Sequence, residues 1–161
     1  MRAKIASKIL FFFDYFQQRK IYLFLKKKIK NNCTLVDVGA HHGETIKNFK
    51  KYFNNSEIHS FEASSINFKV LNNKHNNQTD HKIFLNNFGL SDEKKKYKIK
   101  QLQESSSTTM SRINENSRYF KKKMRILGTE KSEFSKEIEI NLETFDNYFL
   151  MKKLNKIDLL K

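Results

Sequence analysis

The 161-residue sequence has no proline, no tryptophan, four glycines and a single cysteine. Cys33 has no internal disulfide partner, and the five histidines show no metal-ligand spacing with it. A disulfide-stapled scaffold and a Cys/His metal site are therefore excluded, and a reducing, cytoplasmic setting is expected. Long apolar runs are also missing. Ile9 to Phe13 is followed at once by Asp14, a stretch too short to span a bilayer and too polar-flanked for a signal peptide. Arginine is scarce as well: five of the 32 cationic side chains, Arg2, Arg19, Arg112, Arg118 and Arg125. Specific phosphate and guanine readout recruits the planar guanidinium fork, so this scarcity argues against a nucleic-acid partner.

What is present points to one folded α/β domain. With 38% hydrophobic and 13% aromatic residues, 15 of them Phe, the chain can bury a core despite its polar average. The net charge of +15 would suit an anionic partner. Its abundance of Lys, Asn, Ile and Phe is also the pattern of AT-rich codon usage, which accounts for much of that charge without a function.

Residues 3 to 30 read as one or two helices, because Ile5, Ile9, Phe12 and Phe16 recur at helical spacing and Leu23 extends the stripe. Lys4, Lys8, Arg19, Lys20 and Lys26 to Lys28 cover much of the remainder. Two roles fit: packing the stripe on the following domain, or peripheral contact with a membrane surface. Residues 1–32 are accordingly assigned to an N-terminal helical segment and 33–161 to the domain proper.

From Thr34 the period changes. Thr34 to Val38 is a short β-prone run followed by the Gly39 to Gly43 turn, and Glu44 to Phe53 carries Ile46, Phe49 and Phe53 on one helical face. The pattern repeats as a strand over Glu57 to Phe61 and a helix over Ser64 to Lys74, capped by Ser64 or Ser65, then a strand over Lys82 to Asn86. Such alternation predicts a parallel sheet with right-handed helical crossovers. The rhythm then breaks. Phe88 to Leu90 and Lys96 to Ile99 flank Ser91-Asp92-Glu93-Lys94 and predict a hairpin. A polar loop from Gln101 to about Lys136 is expected to contain a short helix near Arg118 to Leu127. Glu137 to Leu142 predicts a strand, Glu143 to Leu150 a short helix and Ile157 to Leu160 an apolar strand.

The loop Val36-Asp37-Val38-Gly39-Ala40-His41-His42-Gly43 has the parts an adenosyl cofactor needs. Gly39 and Gly43 permit bending and close backbone approach, and the following helix start offers unpaired N–H groups. Asp37 lies two residues before the first glycine. Glu62 ends the next strand, where a carboxylate can accept both ribose hydroxyls. A dinucleotide loop would need a glycine where His41 stands. Asn87 and Ser91-Asp92 are placed to border an adenine, although Ser-Asp also suits a turn. His41 and His42 are candidates for a general base or a substrate contact, with an ordinary loop role as the alternative. Asp146 and Ser105 to Thr109 are explained by capping and loop solubility.

These segments resemble the FkbM-type methyltransferases from about Cys33 to Lys161. Val36-Asp37-Val38-Gly39-Ala40 through Gly43 is similar to the first motif of that family, and Ser60-Phe61-Glu62-Ala63 to its Phe-Glu-Pro element. Asn87-Phe88-Gly89-Leu90-Ser91-Asp92, Ser105 to Ser107, and Leu142-Glu143-Thr144-Phe145-Asp146 follow in the family's order. Ile157-Asp158-Leu159-Leu160-Lys161 matches the start of its Asp-Leu-Leu-Lys-Ile-Asp-x-Glu-Gly segment.

The resemblance implies a class I methyltransferase (Rossmann-like) α/β sheet and S-adenosyl-L-methionine as cofactor. It also implies methyl transfer to a hydroxyl of a sugar, polyketide or similar small-molecule or glycan acceptor. The residues that carry over to cofactor binding are Asp37, Gly39, Ala40, Gly43, Glu62 and Asn87. His41 and His42 stand where the family commonly has an Asn-x pair, and Ala63 stands where it has Pro. The family's Ile-Asp-x-Glu-Gly continuation would fall beyond Lys161. From this the expectation is a sheet incomplete at its C-terminus, in which this chain supplies the cofactor-binding half.

Overall fold

The computed structural model describes residues 16–76, 82–102, 117–118, 121–122 and 135–161. The expected Ser-rich stretch, Ser105 to Thr109, and the first part of the N-terminal stripe, Ile5 to Phe12, lie outside the described residues. Of the helix expected near Arg118 to Leu127, residues 118, 121 and 122 are described and are helical.

The central sheet is built from β1 (Thr34–Val38), β2 (Glu57–Phe61), β3 (Lys82–Asn86) and β7 (Leu159–Leu160), in the order β3-β2-β1-β7. All its pairings are parallel. Helix α1 (residues 16–28) precedes β1, α2 (Glu44–Tyr52) links β1 to β2, and α3 (Ser65–His75) links β2 to β3. The expected strand-helix rhythm and the Rossmann-like class are therefore present, with the strand after Ile157 seated beside β1.

Strand period two decides the two faces. Leu35 and Ile58 face the helical layer, where Ile46, Phe49, Phe53 and Leu71 are fully buried. Burying a side chain of that size contributes about 1.5–3 kcal/mol, and four of them anchor α2 and α3. Val36 and Phe61 face the opposite side and pack on Tyr148 of α4 (Phe145–Met151). Helix α3 starts where the Ser64 hydroxyl accepts from Asn67 N at 3.3 Å, and Thr144 caps α4 in the same way on Asn147 N.

Two expectations are corrected. The segments around Ser91 to Lys94 do not form a hairpin. In the second sheet, β6 (Ser135–Thr144) lies between β4 (Gly89–Ser91) and β5 (Lys95–Leu102), parallel to the first and antiparallel to the second. Complementary side chains line the pairing. Lys96 and Lys98 on β5 meet Glu139 and Glu137 on β6 at 3.0 and 3.4 Å, while Ile99, Ile140 and Leu142 bury the other side.

Helix α1 also packs a different face from the one expected. Tyr22, Leu25 and Ile29 turn inward, with the Tyr22 ring stacked on Tyr52 at 5.3 Å, whereas Phe16 and Leu23 are exposed. An aromatic ring that stacks on Tyr52 and meets Phe49 edge-on offers more contact than the smaller Leu23 would.

Candidate active site

The loop after β1 is tied down by three backbone anchors. Gly39 N and Ala40 N both donate to Phe61 O at 2.9 Å, and His41 N donates to Glu62 Oε2 at 2.8 Å. Gly39 has φ +79 and Gly43 φ +88, the left-handed region where a side chain is strained. A Cβ on Gly39 would enter open space. A Cβ on Gly43 would run into the His75 ring.

Asp37 lies at the C-terminal end of β1 and is fully buried. Its Oδ1 accepts from Lys161 Nζ at 3.1 Å, while Oδ2 has no partner among the described residues. Burial pushes the Asp37 carboxyl above its ordinary range, and the opposing pull comes from the Lys161 charge and hydrogen bond and from the Thr45 hydroxyl. The result is a buried carboxylate paired with Lys161 at Oδ1, with the Thr45 hydroxyl also acting on it.

Lys161, the ion-pair partner of Asp37, and Thr45 line a cavity of about 480 Å³, whereas the Asp37 side chain does not reach the lining. Gly39, Ala40 and His41 form one wall, Glu44 and Thr45 at the start of α2 another, Leu159 to Lys161 a third, and Gln18, Ile21, Tyr22 and Leu25 of α1 close the side. The lining is aromatic and aliphatic with a few convergent polar groups, the usual make-up of a small-molecule site.

Glu62 is nearly buried and bridges two elements. Oε2 holds the loop through His41 N, and Oε1 accepts from Ser64 N at 2.9 Å at the start of α3. Each oxygen keeps a further lone pair. Asn87 sits behind it, its amide donating to Glu62 O at 2.9 Å and Ala63 O at 3.4 Å.

Of the six residues expected to hold a cofactor, Asp37, Gly39, Ala40 and Glu62 thus surround one loop. Gly43 faces a separate cleft between α2 and α3, lined by His42, Lys47, Lys50, Lys74 and His75. Asn87 reaches the loop only through the backbone it supports.

The sequence profile of the methyltransferase FkbM domain matches residues 37–161. The chain belongs to the FkbM methyltransferase family. No curated protein and no solved structure gives a significant match.

Sequence reasoning had not singled out Lys161 as a site residue. Its place in the Asp-Leu-Leu-Lys segment was visible, but its partner lies 124 positions away. Thr45 and the network around Tyr148 were missed as well. His59 Nδ1 and Tyr148 Oη are 2.7 Å apart, His59 Nε2 and Glu57 Oε1 2.8 Å, and Asn86 Nδ2 donates to Tyr148 Oη at 3.2 Å. One assignment satisfies all three contacts: Nε2–H donates to Glu57, and Nδ1 accepts from the tyrosine hydroxyl. Burial lowers the His59 pKa and pushes the Tyr148 phenol up to about 12, so both stay neutral and fix α4 against the sheet. Among the described residues, no helix is long and apolar enough to cross a membrane.

Proposed function

We propose that this FkbM domain binds S-adenosylmethionine on the loop after β1 and transfers its methyl group to a hydroxyl of a sugar or other small metabolite. The observation that carries the reading is the buried Asp37 carboxylate, whose Oδ2 makes no hydrogen bond among the described residues and whose Oδ1 is paired with Lys161, a lining residue of a cavity of about 480 Å³. A buried acceptor left unsatisfied costs about 1–3 kcal/mol, a cost that an ammonium donor would remove. The aminoacyl end of the cofactor offers such a donor.

Asp37 would accept from the cofactor ammonium at Oδ2, with Lys161 holding the carboxylate in place through Oδ1. Gly39 would let the cofactor approach the backbone where a side chain would intrude, and the free lone pairs of Glu62 suit ribose hydroxyls. Gly43 and Asn87 would act through the loop turn and the Glu62 backbone that they support. S-adenosylmethionine supplies a methyl group already activated on a sulfonium. The protein's task is then mainly alignment, for which effective-molarity gains reach about 7–11 kcal/mol.

Isothermal titration with S-adenosylmethionine tests this on the chain and on Asp37→Ala and Glu62→Ala. Weakened or lost heats in the variants are expected, and equal heats from all three proteins would sink the assignment.

A second reading, of a different class, is favoured by the outer face of α1. Phe16, Lys20, Leu23, Phe24 and Lys27 follow helical spacing on the side away from Tyr22, and Phe24 is 59% exposed. Aromatic and aliphatic side chains interleaved with lysine match an anionic membrane surface, where the lysine stems run along the apolar patch and their ammonium groups reach lipid phosphates. Flotation with phosphatidylglycerol vesicles is expected at low salt and should weaken at high salt. Failure to float at low salt would reject it.

A further inference from the structure

We propose that His41, His42 and Glu44 bind a divalent transition-metal ion, zinc being the best chemical match, at the mouth of the cavity beside the β1 loop. The ligand atoms of the three side chains all lie within 4.8 Å of one another. Two imidazoles and one carboxylate form a donor set that zinc takes in catalytic sites, where three protein ligands leave a fourth position open.

The local geometry brings the three side chains together. His41 has φ +50, an uncommon backbone region for a histidine, and it is held there by the hydrogen bond from its N–H to Glu62. That conformation brings the ring over its neighbour: the His41 and His42 rings stack at 3.7 Å with 23° between their planes, and one ring turns for both in-plane nitrogen lone pairs to meet one ion. Glu44, the first residue of α2, places Oε2 3.5 Å from His41 Nδ1. Metal–nitrogen bonds of about 2.0–2.1 Å in a tetrahedron require ligand atoms roughly 3.3 Å apart. Side-chain rotation supplies the difference, since the two rings are only half-buried and Glu44 is exposed.

The charges pull in both directions. Lys47, Lys50 and Lys74 line the adjoining cleft and oppose a cation, whereas Glu44 and Glu62 favour one.

The position suggests what the ion does. His41 and Glu44 line both the metal cluster and the cavity, so an ion held there would face an acceptor hydroxyl bound in the cavity. An acceptor hydroxyl on the open metal position becomes more acidic and gives its proton to solvent. Its oxygen then takes the methyl group from the sulfonium, whose bonding electron pair remains on sulfur. This role rests on the methyl-transfer reading above; metal binding itself does not.

Cobalt(II) and zinc(II) titrations of the full chain, without S-adenosylmethionine, test the site. Cobalt should give visible d–d absorption saturating at one ion per chain, and zinc should displace it. His41→Asn keeps a residue that tolerates the left-handed backbone, and His42→Ala and Glu44→Gln change partly or fully exposed positions. Each should retain the wild-type circular dichroism and lose affinity by about tenfold or more. No saturable cobalt spectrum in the folded wild type, or the same affinity in all three folded variants, would overturn the proposal. Cobalt binding with no S-adenosylmethionine binding would uphold the metal site and reject the cofactor reading, which separates the two.

Discussion

Asp37 and Lys161 stand 124 positions apart in the chain and 3.1 Å apart in space, one fully buried and the other half-exposed at the cavity wall. The parallel pairing of β1 with β7 makes the contact. Leu35 and Val36 register with Leu159 and Leu160, so the next residues on each strand meet at the same end of the sheet. The ends of neighbouring parallel strands are where α/β folds place ligands, and here that position holds a buried carboxylate whose Oδ2 makes no hydrogen bond among the described residues.

The first prediction separates stability from binding. Asp37 has a folded-state pKa above its ordinary 3.8. Its favourable contribution is complete below about that pH and is lost as pH rises through the folded value, so ionised Asp37 costs stability at neutral pH. Asp37→Asn should therefore be at least as resistant to denaturant as wild type at pH 7, while losing about tenfold or more in S-adenosylmethionine affinity. A large drop in stability would mean that the ion pair with Lys161 outweighs burial.

Gly39→Ala should destabilise the chain by about 1–2 kcal/mol, because its φ of +79 disfavours any side chain even though a Cβ meets nothing within 4 Å. Chemical denaturation measures this, and a crystal or solution structure should show the loop displaced from Phe61 O.

The Glu62 carboxylate accepts two backbone N–H donors, one from each flanking element. Glu62→Ala leaves both without that acceptor and should cost about 1.5–3 kcal/mol. Glu62→Gln keeps one oxygen acceptor and should cost less. Equal stability of the two variants would show that the loop is held mainly by the Phe61 carbonyl.

The His59 network should set the acid limit. Its folded-state pKa lies below the ordinary 6.5, so the stability of the neutral ring is complete above about pH 6.5 and is lost as pH falls through the lowered value. Tyr148→Phe removes the hydroxyl that reaches His59 Nδ1 and should cost about 1–3 kcal/mol at pH 7. Urea midpoints measured between pH 5 and 8 check both. A His59→Phe variant should lose most of that acid sensitivity.

Much of the central sheet was legible because its signals are local. Thr34 to Val38, Glu57 to Phe61 and Lys82 to Asn86 are short β-prone runs, each bounded by a turn, and the structure places strands over the same residues. The Asp37, Gly39 and Glu62 cluster was readable for the same reason, since a strand end and a glycine turn lie close together in sequence.

Long-range choices were not legible. A polar turn at Ser91 to Lys94 suits two strands that pair and equally two strands that part to admit a third, and Lys96 of β5 found its glutamate on β6, 43 residues on. Helix α1 carries apolar residues around most of its circumference, so its period alone did not tell Leu23 from Tyr22. Lys161 had no local sign of its partner.

The most direct test of the central claim compares S-adenosylmethionine with 5′-methylthioadenosine, which lacks the aminoacyl end, on wild type and on Asp37→Asn. The account predicts that wild type prefers S-adenosylmethionine by about tenfold or more, the strength of one charge-assisted hydrogen bond, and that the preference largely disappears in the variant. A preference of the same size in both proteins would contradict it.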